Sequence, residues 1–115
     1  MNYLQEVYIY ANNNVQFTCH IISTNSAAPF SAESLTFDPQ IDTVSSSFYP
    51  IGNQFQTAQD AYEEIIKYCV EYTTANNLQI SSINNPCNAP FINKADQQSI
   101  VNQNSLSVTV LVNGQ

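Results

Sequence analysis

Cys19 and His20 stand side by side in this chain of 115 residues, and Cys69 and Cys87 are its remaining cysteines. A thiol beside an imidazole can act as a nucleophile with its base, the ring taking the thiol proton so that sulfur attacks an electron-poor carbon. The surrounding residues, VQFTCHII (15–22), alternate as a strand does. Neighbours on a strand point to opposite faces, so Cys19 and His20 do not meet. His20 could pair only with a cysteine brought from elsewhere, and Cys87, flanked by Pro86 and Pro90, is the candidate. No orienting carboxylate at a fixed spacing and no oxyanion-hole feature accompany it. Zinc accepts all four residues, but structural zinc sites draw their ligands as close pairs such as C-x2-C, and that spacing is missing here. Neither a metal nor a cofactor is expected. Cys19 and Cys69 read instead as small buried residues, one on a strand and one on a helix, able to form a disulfide in an oxidising compartment if they oppose one another.

Asp60, Glu63 and Glu64 are the other cluster of reactive types. General acid–base work by such carboxylates needs a concave, partly desolvated setting. The first turns of a helix, where the dipole favours negative charge, account for them without that. With only Gly52 and Gly114 there is no glycine-rich loop to cradle a phosphate.

The helix that carries these acids is the clearest element of the sequence. From Thr57 to Asn77, Ala58, Ala61, Tyr62, Ile65, Cys69 and Tyr72 recur at three- and four-residue spacing, with Gln59, Asp60, Glu63, Glu64, Lys67, Glu71 and Thr74 on the other side. Thr57 caps its start, Glu63 and Lys67 form an i,i+4 pair, and Asn76-Asn77 stops it. Residues 3–10 and 15–22 predict a β-hairpin turning at Asn12-Asn13-Asn14, with Val7, Ile9, Val15, Phe17, Cys19 and Ile21 inward and Leu4, Tyr8, Tyr10 and His20 on the other face. Between 23 and 56 prolines interrupt the pattern, and SLTF (34–37) and TVSSSFY (43–49) are short candidate strands. LQIS (78–81) predicts a strand leaving the helix. Residues 84–104 read as a long loop in which Asn93 caps a short helix to Ile100 or Val101, and LSVTVLV (106–112) predicts a final strand.

The expected fold is therefore one α+β domain over 1–115: a mostly antiparallel β-sheet with one long amphipathic helix packed on one face, in the order β-β-(β)-α-β-β. In that order the chain resembles the β-grasp topology; the resemblance covers topology alone and implies no activity.

Composition narrows the function. The chain has no arginine, two lysines against nine carboxylates, and a net charge of -7. Direct binding of nucleic acid needs cations to neutralise phosphates, and an anionic membrane surface needs them too, so neither is an expected partner. No run is long enough to span a membrane. The start, MNYLQEVYIY, lacks a basic leader region and reads as a strand, which makes the cytoplasm of a cell or of an infected host the expected location.

Seven tyrosines among many Asn, Gln, Ser and Thr resemble the composition of protein-binding surfaces. The expectation is a small acidic non-catalytic module of the inhibitor, immunity or counter-defence type. It would mask a basic surface of a larger partner, such as a nucleic-acid-binding enzyme, through Tyr8, Tyr10, Glu63, Glu64 and Glu71. The alternative is a structural subunit that dimerises or assembles through strand 106–112. An enzyme working through Cys87 and His20 ranks last.

Overall fold

The structure, a computed structural model, describes residues 3–23, 29–41, 43–44, 47–86 and 92–113. β1 (Tyr3–Ala11) and β2 (Gln16–Ser23) form the expected hairpin. Asn13 and Asn14 both take positive φ, 60° and 63°, the left-handed conformation that asparagine tolerates better than other side chains with a Cβ. Alternation along β2 buries Phe17, Cys19 and Ile21 and leaves Gln16, Thr18, His20 and Ile22 half-buried on the other face.

The proline-rich middle holds more sheet than its pattern suggests. β3 runs over Phe30–Asp38 and pairs with β2 from Phe30 to Phe37. A 3-10 turn at Pro39–Ile41 leads to β4 (Thr43–Val44), and β5 follows at Tyr49–Phe55. Both β4 and β5 pair with the far side of β3, so Pro50 lies on an outermost strand, where its missing N–H does least harm. The ring of Phe55 folds back over Gly52, where an added Cβ would come within 2.5 Å of it.

α1 (Ala58–Ala75) crosses the inner face of the sheet. Thr57 Oγ1 accepts the Asp60 N–H at 3.1 Å. Ala58, Ala61, Tyr62, Ile65, Ile66, Cys69 and Thr73 are buried, while Tyr72, expected among them, is half-buried. Tyr72 packs edge-on against Phe17 at 5.3 Å, and its hydroxyl donates to Asp38 at 2.6 Å. The helix ends in a left-handed cap: Asn77 has φ 56°, the Leu78 N–H reaches Thr73 O at 2.7 Å, and the Asn77 N–H reaches Thr74 O at 3.4 Å.

β6 (Ile80–Asn85) pairs antiparallel with β1 and starts two residues later than LQIS predicts. α2 (Lys94–Gln103) is longer than expected from its apolar residues; Asn93 caps it by accepting the Asp96 N–H at 2.8 Å. Its own left-handed cap uses Ser105, φ 65°, with the Leu106 N–H bonded to Val101 O at 3.3 Å. The final strand departs most from expectation: β7 covers Val110–Val112 only and pairs parallel to β6. Leu106 is drawn into closing α2, and Gln98 takes up neighbouring backbone instead. Its Nε2 donates to Val108 O and its Oε1 accepts the Val110 N–H, each at 2.8 Å.

The resulting sheet has the order β4-β3-β2-β1-β6-β7, with β5 joined through β3, and is antiparallel except for β6 with β7. α1 and α2 lie on one side of it, and the core between holds Val7, Ile9, Phe17, Ile21, Tyr62, Ile65, Ile83 and Val101, each fully shielded. This is the two-layer α+β arrangement. None of its helices is long and apolar enough to cross a membrane among the described residues.

Candidate functional site

The face of the sheet turned away from the helices is built as cross-strand rows. Register sets Glu6 of β1 beside His20 of β2, and His20 beside Glu33 of β3. His20 Nδ1 lies 3.0 Å from Glu33 Oε2, and its Nε2 lies 3.6 Å from Glu6 Oε2. The same Glu6 oxygen accepts the Tyr8 hydroxyl at 2.8 Å. Phe48, from the residues leading into β5, stacks on the imidazole with centroids 4.5 Å apart. A neutral imidazole carries one N–H and can donate to one carboxylate; the imidazolium donates towards both. The carboxylates sit at opposite ends of the ring, so they bracket it and do not converge with it on a point where a metal could bind.

Apolar and aromatic side chains flank this ionic row. On one side Leu4, 51 % exposed, pairs with Ile22. On the other, Tyr8 and Tyr10 are half-buried, and the Tyr10 row continues through Gln16 to Phe37, which is 46 % exposed. Tyr10, Gln16 and Phe37 line a shallow hollow of about 460 Å³ next to the hairpin turn. No lysine stands on β1, β2 or β3, and the chain has no arginine. Across β1, β2 and β3 the face therefore combines aromatic rings and carboxylates with no lysine or arginine.

The five residues expected to form one surface are divided between two. Tyr8 and Tyr10 belong to the open sheet face. Glu63 and Glu64 each lie 3.9 Å from the Lys67 ammonium, and Glu71 is exposed, all on α1. The sheet and the core separate the groups, so a flat partner that covers the tyrosines cannot also reach the helix acids. Asp60, the remaining acid of that cluster, is exposed beside its capping bond to Thr57.

Cys19 points into the core and His20 to the opposite face, as alternation requires. Cys69 is also in the core, so His20 cannot share an ion with either of these thiols. Cys87, and with it the Cys87–His20 pairing, lies outside the described residues. Two buried amides bond to one another and to backbone: Asn85 Nδ2 donates to Gln97 Oε1 at 3.2 Å, and Gln97 Nε2 donates to Ile92 O at 2.9 Å.

Sequence reasoning missed Glu6 and Glu33. For Glu6 a signal was present, since counting outward from the asparagine turn sets it opposite His20. For Glu33 there was none, because no turn motif fixes the register of β3 on β2. Comparison with protein-family models, with curated proteins and with solved structures finds no match to this chain.

Proposed function

We propose that the protein is a small non-catalytic binding module of the inhibitor, immunity or counter-defence type, and that its open sheet face masks a basic surface of a larger protein. The observation that carries this reading is the composition of that face: Tyr8, Tyr10, Leu4 and Phe37 arranged around Glu6 and Glu33, with no lysine or arginine among them. Tyrosine supplies large contact area at small entropic cost, and carboxylates between such rings reward a partner that brings cations. The net charge of -7 adds long-range steering towards a positive surface, such as the groove of a nucleic-acid-binding enzyme in the cytoplasm of the same cell or of an infected host. The acids of α1 contribute to this field without contact.

Affinity capture from native-cell or host lysate, at low and raised salt, tests the reading. A basic protein should be retained by the parent chain, released as salt rises, and lost with Tyr10→Lys or Glu6→Lys. Glu64→Lys and Glu71→Lys should weaken capture only by slowing association. Retention undiminished by both sheet-face variants removes this face, and recovery of the protein alone removes the proposal. Assembly through the C-terminal edge is the alternative. Leu111, 56 % exposed, favours it, but Gln98 already occupies backbone groups of residues 108 and 110 on the edge a second copy would need.

A further inference from the structure

The layer between α1 and the sheet contains two free thiols. Cys19 enters it from β2 and Cys69 from the middle of α1, and both are fully shielded from solvent. Cys19 stands two residues along β2 from Phe17 and Cys69 one turn along α1 from Tyr72, and those two rings touch at 5.3 Å, so both thiols enter the same part of the layer. Cys19 Sγ also lies 3.5 Å from Ser34 Oγ. The hydroxyl of Tyr62, also on the inner side of α1, is buried with no hydrogen-bond partner among the described residues. The two thiols therefore face one another from opposite sides of the interface between α1 and the sheet.

We propose that Cys19 and Cys69 are a latent cross-link, which a small-molecule disulfide such as oxidised glutathione closes into an Sγ–Sγ bond joining β2 to α1. Both cysteines sit within regular elements already docked face to face, so bonding needs the sulfurs to approach to about 2.05 Å without a change of register. The loop it closes contains β3, β4 and β5, and closing a long loop restricts the unfolded chain more than the folded one. In the closed core the reaction is blocked because both sulfurs are fully shielded from the oxidant, and burial also pushes the Cys69 thiol well above its ordinary range.

Exchange proceeds when α1 lifts from the sheet. One cysteine thiolate attacks the small disulfide and expels a small thiolate, giving a mixed disulfide. The other cysteine, deprotonated in solvent, attacks the protein sulfur of that bond and expels the second small thiolate. Two electrons pass from the protein to the oxidant, and the two protons lost by the protein thiols end on the two expelled thiolates, so the oxidant leaves as two thiols.

The test incubates the full chain, and separately its Cys87→Ser variant, with oxidised glutathione in native buffer and at the urea midpoint, followed by refolding. Intact mass, peptide mapping and thermal melting are then read. The expected product is a monomer lighter by two hydrogens, with Cys19 joined to Cys69. It should form far faster at the midpoint than in native buffer and melt roughly 5 °C or more above the reduced protein, reversibly with a dithiol reductant. A linked product that melts below the reduced protein overturns the proposal. So does linkage of Cys87 to either partner as the main product of the unaltered chain, or the absence of a Cys19–Cys69 link after refolding of both chains.

Discussion

The carboxamide of Gln98 bonds to backbone twice, donating to Val108 O and accepting from the Val110 N–H, and so stands where a neighbouring strand would otherwise stand. Gln98→Ala leaves both groups to water or to another chain. Because the site is half-buried, we expect a loss of about 1–2 kcal/mol in urea unfolding, together with concentration-dependent association in size-exclusion chromatography. An unchanged midpoint with an unchanged elution volume would show that the amide is ornamental. Tyr72 permits a second prediction. Burial first, and then its bond to Asp38, push its phenol from 10.0 up to about 12. Burial raises Tyr62 as well. A phenol whose folded value is raised stabilises the fold fully below the unfolded value, near pH 10, and that contribution disappears as pH climbs through the folded value. Stability should accordingly fall between about pH 10 and 12. Phenolate absorbance should show late-titrating tyrosines whose appearance coincides with loss of circular dichroism. If every tyrosine titrates together while the helical signal persists, the two phenols are not held as described.

At the scale of elements, the two helices end alike but not equally well. Asn77 and Ser105 occupy the same left-handed position after α1 and α2, with φ 56° and 65°. Asparagine tolerates it; serine gains nothing there from its side chain and bears the Cβ penalty in full. Ser105→Gly should stabilise by about 0.5–1 kcal/mol, the relief exceeding the added freedom of the unfolded chain, and Ser105→Val should destabilise by a comparable amount. Chemical denaturation of both variants decides it, and equal midpoints for the two would contradict the assigned strain. These elements also mark where reading from sequence succeeds. α1 and the hairpin announce themselves because apolar period and cap or turn residues agree. α2 is under-read because its buried face includes Gln97, an amide that periodicity counts as surface. The strand over 106–112 is over-read, since alternation records which side chains turn inward and not whether a neighbouring strand is present. β5 is hidden by Pro50, which only its outermost position makes harmless.

For the molecule as a whole, two layers place chemistry on two outward sides, and the candidate site was only half legible for that reason. Tyr8 and Tyr10 fall on the face that alternation assigned to them, away from the apolar face on which the helix docks, and that assignment already set them apart from Glu63, Glu64 and Glu71, although all five were grouped as one binding surface. Glu33 joined the site through a sheet register no local motif declares. Time is the remaining dimension. β1 precedes the other described strands in the chain and ends in the middle of the sheet, with β2 on one side and β6 on the other. Its hairpin partner follows at once, whereas the far neighbour comes late: Asn12, just past its end, bonds to Gln79, 67 residues further along. A nascent chain must therefore carry one open edge of β1, with Val7, Ile9 and its tyrosines, until the residues of β6 have been synthesised. Folding gated by so distant a pairing is slow, and the interval exposes an apolar strand to any neighbour able to extend it.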